Sequence, residues 1–204
     1  MKLLLFGGTF DPPHTGHISL LSQAIKAVNP TEVWVMPAGL PPHKQASATP
    51  AALRLQMCAC FKPLFSNMVI SDWEMQQQGK SYTLNTVQWL LAQNPGAVIY
   101  LCIGSDMLLS FTTWHEWQQL LQLVVLVAQN RTPQHAAKLQ AAAKALQHYG
   151  ANILFTNGEV EEISSTWLRE EIGAGRDIAG LIPPPADEII KQNKLYQNNG
   201  DSDK

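Results

Sequence analysis

The sequence predicts an α/β fold, a doubly wound parallel sheet with helices on both faces, and three observations carry that expectation. Six short aliphatic or β-branched runs recur along the 204 residues. The stretches between them are long enough for crossover helices, and a glycine pair closes the first run just before a helical pattern begins.

The runs are Leu3 to Phe6, Glu32 to Met36, Met68 to Asp72, Ala97 to Ile103, Leu123 to Ala128 and Asn152 to Thr156. After the first, Ile18, Leu21, Ile25 and Val28 recur at steps of three and four, an amphipathic helix that Pro30 closes. Thr49-Pro50 then reads as a cap followed by a first-turn proline, opening a helix with Leu53, Met57 and Phe61 on one stripe. An alanine-rich third helix spans Ala136 to Tyr149. Between these, Gly39 to Ala48 is a loop rich in chain breakers. Residues 1–196 read as one domain and 197–204 as a disordered polar tail.

Composition narrows the function. A hydrophobic fraction of 46% beside 15% charged residues suits a soluble globular protein. No stretch approaches the roughly 18 apolar residues of a membrane span, and the apolar run at the N-terminus is too short for an export signal. A formal charge of −2 argues against nucleic acid or an anionic membrane as partner, so any phosphate site must be built locally. Cys58, Cys60 and Cys102 are odd in number and form no CxxC units, which fits buried thiols in a reducing cytoplasm.

The most informative stretch is Phe6-Gly7-Gly8-Thr9-Phe10-Asp11-Pro12-Pro13-His14-Thr15-Gly16-His17, running from the first strand into the first helix. Gly7 and Gly8 let the backbone approach a ligand, and the helix start offers free N–H groups and a positive dipole end to a phosphate. His14 and His17, three apart, can both face one locus and donate to phosphate oxygens as charge grows on them. The alternatives are two merely surface histidines or a zinc pair, for which no third or fourth ligand stands at suitable spacing. The run is neither a GxxxxGK[ST] loop nor a GxGxxG fingerprint.

A second constellation, Ile163-Ser164-Ser165-Thr166-Trp167-Leu168-Arg169, lies after the last strand-like run and opens another helix. Ser164, Ser165 and Thr166 can cap that helix or donate to phosphate, and Arg169 can fork two donors onto the same anion. Trp34, Trp73, Trp89, Trp117 and Trp167 lie in runs where packing is the better reading.

His14-Thr15-Gly16-His17 resembles the HxGH signature of the nucleotidyltransferase superfamily, and Ile163 to Arg169 is similar to its ISSTxxR motif. Within that superfamily the chain resembles the bacterial nicotinate-nucleotide adenylyltransferases from Lys2 to about Tyr196. The resemblance implies a Rossmann-like sheet of the adenylyltransferase type with a small C-terminal helical portion. It also implies ATP and nicotinate mononucleotide as substrates, with Mg²⁺ carried by ATP rather than by side chains. His14, His17, Lys44 and Arg169 would be catalytic. Gly7, Gly8, Thr9, Phe10, Gly104, Asp106, Ser164, Ser165 and Thr166 would meet ATP.

Met36-Pro37 through Lys44 resembles the family's M-P-x-x-x-P-P-H-K segment, placing Pro42 and His43 near the acceptor and Lys44 near the triphosphate. Read alone, Lys44 is a loop lysine of the usual solvated kind. Tyr82, Thr83, Gly104 and Asp106 follow strand regions and belong on the same carboxyl edge. Asp106 suits a ribose diol, or else caps a short helix over Met107 to Phe111. Trp114-His115 is similar to the nicotinate branch, where the tryptophan stacks on the pyridine ring. Two departures stand out: Asn130 to Gln134 replaces an Arg-Pro-Gly turn, and Glu171 stands where relatives often carry arginine. The nearest alternatives are a pantetheine-phosphate adenylyltransferase, a cytidylyltransferase, or a non-catalytic nucleotide-binding module on the same fold. Oligomeric state is not legible.

Overall fold

The computed structural model describes residues 1–40, 47–129, 133–156, 158 and 163–197. Its centre is a parallel sheet of six strands: β1 (Lys2–Gly8), β2 (Glu32–Pro37), β3 (Met68–Ile70), β4 (Val98–Ile103), β5 (Val124–Gln129) and β6 (Asn152–Thr156). They lie in the order β3-β2-β1-β4-β5-β6. The chain therefore winds outward from β1 in one direction and from β4 in the other, and these two strands pair in register from Lys2 opposite Val98 to Phe6 opposite Cys102. A crevice opens beyond the carboxyl ends of two such strands, where their connections leave in opposite directions.

Strand alternation divides the core. Leu3 and Leu5 of β1 point into one hydrophobic cluster, while Leu4 and Phe6 point into the other. The second cluster is covered by α1 (Thr15–Val28), through Leu20, Leu21, Ala24 and Val28. The first is covered by α4 (Thr83–Gln93), α5 (Ser105–Leu109), α6 (Trp117–Leu123) and α7 (Pro133–Gln147). Leucine and valine at strand positions facing alternately up and down suit a sheet buried on both sides.

The second expected helix is different. α2 (Ala51–Met57) ends early and passes into a 3₁₀ stretch, Cys58–Leu64, which contains Pro63. Tightening the chain there separates the stripe: Phe61 joins the sheet core, and Met57 joins a third cluster with Leu168, Ile182, Ala186 and Ile190. That third cluster is the C-terminal helical portion, formed by α8 (Ser165–Gly173) and α9 (Pro184–Gln192) against α2. Nor is Thr49 the cap, because Pro50 takes that position and the Thr49 side chain bonds to Asp11 instead.

Smaller corrections follow from local packing. The third strand stops at Ile70, and α3 (Trp73–Gln76) begins two residues after Ser71, whose N–H donates the last sheet bond to the Val35 carbonyl. The short helix begins at Ser105 with Gly104 as its cap residue, so Asp106 lies in its first turn and is exposed. Trp34, Trp73 and Trp89 do pack together, the last two stacked at 4.7 Å. Trp167 does not: α8 buries Leu168, which turns its neighbour outward to 41% exposure. All three cysteines are free and buried. No helix among the described residues is long and apolar enough to cross a membrane. The Asn130 to Gln134 turn falls almost wholly outside the residues whose side chains are described, as does the tail from Asn198.

Candidate active site

The glycine loop leaves the carboxyl end of β1 at the crevice between β1 and β4. Gly7 is exposed there and Gly8 half-buried, and a Cβ on Gly8 would stand 2.9 Å from the Phe10 ring. Phe10 has a left-handed φ of +49° and is 1% exposed, its ring packed among Phe6, His17 and Phe61. A bulky residue keeps that conformation only when its surroundings hold it. The Phe10 side chain is thus part of the core and presents no surface to a ligand. The Thr9 carbonyl is taken by Arg54, whose guanidinium also reaches the Ala38 carbonyl at 2.8 Å and so ties the loops after β1 and β2 together.

His14 is the N-cap residue of α1. Its backbone N–H donates to Nδ1 of His17 at 3.2 Å, and the two rings lie 3.7 Å apart between centroids. An imidazole that accepts at Nδ1 carries its proton, when neutral, on Nε2, so the loop fixes the His17 tautomer. Both rings stand at the helix end where backbone dipoles favour an anion.

The second motif docks on the first. Arg169 donates from NH1 to the Asp11 carbonyl at 2.7 Å, and the Ser165 hydroxyl donates to the Pro12 carbonyl at 2.9 Å. Residues more than 150 positions apart in the chain thereby bracket the turn that leads to His14. The three hydroxyls are all engaged within the protein: Ser164 caps α8 by accepting from the Trp167 N–H, and Thr166 accepts from Arg169. Glu171 is paired with Arg176 at 2.5 Å, so its charge does not stand unopposed beside Arg169.

Asp11, which sequence reasoning passed over, is the junction of this site. It is 6% exposed and accepts from Ser47 at 2.7 Å and from Tyr196 at 2.6 Å, with Thr49 as a further partner. Burial alone would raise its pKa, but the hydroxyl donors and the Arg169 charge outweigh it and hold the carboxyl below its ordinary value. Tyr196 is pushed up from its usual range by burial and by the same carboxylate. The motif position of Asp11 was a signal for it; nothing in the sequence pointed to Tyr196 as its partner.

Across the crevice, Tyr82 stands at the N-cap of α4 with its ring 4.2 Å from that of His115, and Thr83 begins the helix. Trp114 stacks on Phe111 at 5.0 Å. A Cβ on Gly104 would meet the Asp106 carboxylate at 2.7 Å, so glycine lets that side chain fold back over the strand end. Pro42, His43 and Lys44 lie outside the described residues. Among the described residues, no group of three or more His, Cys, Asp or Glu is arranged to hold a metal ion.

The cytidylyltransferase-like family model matches residues 5–171, which takes in both motifs. A curated protein of Exiguobacterium sibiricum, named "Probable nicotinate-nucleotide adenylyltransferase", is 34% identical over 96% of this chain and 99% of its own length. This chain belongs to the nicotinate-nucleotide adenylyltransferase family. Another relative of the same name, from Neisseria meningitidis serogroup B, is 33% identical over 96% of this chain and 98% of its own. The fold agrees as well. A Plasmodium falciparum nicotinic acid mononucleotide adenylyltransferase complexed with NaAD superposes with a TM-score of 0.76 over 96% of this chain and 97% of that one, at 18% identity. Within the family's sheet, the two motifs of this adenylyltransferase meet through Asp11, Pro12, Ser165 and Arg169.

Proposed function

We infer that this protein joins nicotinate mononucleotide to the AMP moiety of ATP, giving nicotinate adenine dinucleotide and pyrophosphate in the cytoplasmic synthesis of NAD. The observation that carries this reading is the docking of the second motif on the first, with Arg169 and Ser165 bonded to the turn before His14. That arrangement collects two imidazoles, one guanidinium and a helix N-terminus around the crevice where a triphosphate fits.

The reaction needs no side-chain nucleophile. A phosphate oxygen of the mononucleotide attacks the α-phosphorus of ATP in line, and the bond to the bridging oxygen breaks so that pyrophosphate leaves with its electron pair. His14 and His17 donate to the α-phosphate oxygens, while Arg169 and Lys44 hold the β and γ phosphates and offset charge on the leaving group. Holding both reactants in line supplies much of the acceleration. Gly7 to Phe10 give backbone to the nucleotide, and Gly104 with Asp106 meets its ribose. Ser164, Ser165 and Thr166 set the helix end that faces the phosphates.

A magnesium ion fits this chemistry only as a companion of the nucleotide. Asp11, the carboxylate nearest the phosphate cradle, is already taken by hydroxyl donors, so phosphate oxygens and water would make up the ion's hard-oxygen shell. Bound there, it would screen the triphosphate charge. On the acceptor side, Trp114 offers a ring face to the pyridine, with Tyr82, Thr83, His115, Pro42 and His43 around it. Preference for the acid over the amide rests on the family resemblance.

The test is a panel of acceptors, nicotinate and nicotinamide mononucleotides and pantetheine phosphate, each with ATP or CTP and read by pyrophosphate release and product mass. Turnover confined to the mononucleotides with ATP is expected. Turnover with pantetheine phosphate or with CTP in its place would overturn the assignment.

A further inference from the structure

Arg169 sits beside a carboxylate with which it does not make a close ion pair. Its NH1 is 4.0 Å from Oδ2 of Asp11, yet the same nitrogen donates at 2.7 Å to the Asp11 backbone carbonyl. A buried carboxylate is the strongest competitor a phosphate could meet, because the guanidinium fork fits both anions in the same bidentate way. The carboxylate is engaged by other donors. Tyr196 donates to Oδ1 at 2.6 Å and Ser47 to Oδ2 at 2.7 Å, so each oxygen already holds a hydroxyl. The side chain of Arg169 keeps 36% of its surface exposed.

The Tyr196 contact is built with some effort. Lys194 and Tyr196 both have left-handed φ values, +52° and +63°, which side-chain-bearing residues adopt only when their surroundings require it. The chain is held in that turn by the Leu195 N–H on the Ile190 carbonyl and by the packing of Leu195 and Tyr196 on the third hydrophobic cluster. The outcome is a hydroxyl delivered to Asp11 across 185 positions of sequence. Ser47 comes from the opposite direction, directly after the segment that carries Lys44.

We propose that Tyr196 and Ser47 are positioning residues that cap the two oxygens of Asp11, so that Arg169 is steered by the Asp11 backbone while its charge stays available to the β and γ phosphates of ATP. The C-terminal end of the chain thus governs how well the N-terminal motif and α8 together hold the triphosphate. This rests on the proposed adenylyl transfer for its substrate, but not for its geometry.

Four proteins test it: wild type, Tyr196→Phe, Asp11→Asn and the double variant. In Tyr196→Phe the uncapped Oδ1 turns to Arg169, and kcat/KM for ATP falls roughly tenfold or more, the scale of one hydrogen bond to a charged group. KM for nicotinate mononucleotide stays within about twofold, which a general loss of structure would not leave untouched. In the Asp11→Asn background the same Tyr196→Phe change has little further effect, since no carboxylate remains to compete. Inorganic tripolyphosphate, titrated into all four proteins by calorimetry, reads the same coupling without turnover. If wild type makes no dinucleotide, the assignment of the reaction fails while the tripolyphosphate titration still decides the capping. Unchanged ATP and tripolyphosphate affinity in Tyr196→Phe, or an equal loss in both Asp11 backgrounds, overturns the proposal.

Discussion

Two buried carboxylates near the carboxyl edge of the sheet are treated in opposite ways. Asp11, after β1, accepts from Ser47, Tyr196 and Thr49 and lies near Arg169, and it is held below its ordinary value of 3.8. Glu74, on α3 after β3, is also buried, and among the described residues no cation pairs with it. Burial raises it above its ordinary value of 4.5, and hydrogen bonds from Thr86 and Ser81 only partly oppose that. The first environment keeps a charge beside the Arg169 guanidinium. The second raises the cost of a charge, and its carboxyl works as a mechanical tie. Ser81, which Glu74 holds, also accepts from the Gly39 and Leu40 N–H groups, and its own N–H donates to the Leu40 carbonyl. Gly39 is required there, because a Cβ would stand 2.3 Å from the Glu74 carbonyl oxygen.

The largest effect expected from breaking the charged region is on chemistry. His17→Ala should lower kcat by about 10²- to 10³-fold, the loss seen when one transition-state donor is removed. Because Nδ1 of His17 also accepts from the His14 backbone, α1 should fray slightly at its first turn. A thermal midpoint within a few degrees of wild type, with kcat down, would assign the loss to the ring. Unchanged turnover would remove its central role.

Next in size is the stability of the same region. Asp11→Asn replaces an acceptor-only group with one that must also donate, against the hydroxyls of Ser47, Tyr196 and Thr49 already aimed at it. A cost of about 1–3 kcal/mol at neutral pH is expected from urea unfolding, the scale for hydrogen bonds to a charged partner. The pH dependence has a definite sign. A carboxyl held below its unfolded value stabilises the fold above pH 3.8 and loses that contribution as pH falls through its folded value. Wild type and Asp11→Asn should therefore converge in stability at strongly acid pH, and parallel curves would show that the charge is not what matters.

How far the sequence revealed all this depends on the range of the interaction. The β1 loop and α1 were legible because glycine, histidine and the helical stripe lie within a dozen residues and each has a local reason. The second motif was legible for the same reason. Tyr196 with Asp11, Arg54 with Thr9 and Ala38, and Glu74 with Ser81 were not, since a polar residue's partner is chosen by the tertiary fold, over 185 positions in the first case. The stripe Leu53, Met57 and Phe61 misled in the opposite way. Its period was helical, but the 3₁₀ stretch around Pro63 sent Met57 and Phe61 to different cores.

The smallest expected effect is the most discriminating for the comparison. Glu74→Gln keeps an oxygen to accept from Thr86, now 2.5 Å away, but its amide finds no acceptor in Ser81, whose hydroxyl oxygen already takes the Gly39 and Leu40 N–H groups. At neutral pH the loss of the Ser81 bond should be largely offset because no charge has to be buried, so the change should fall within about 1 kcal/mol of wild type. The sign with pH is opposite to that of Asp11. A carboxyl whose folded value is raised favours the native state below pH 4.5, and that advantage is lost as pH rises through the folded value. Stability of wild type relative to Glu74→Gln should therefore decline from pH 4.5 upward and then level off, as thermal midpoints across pH 3 to 8 would register. A wild-type advantage that grows with pH over that range would mean Glu74 is charged and stabilised in place, and the contrast between the two carboxylates would fail.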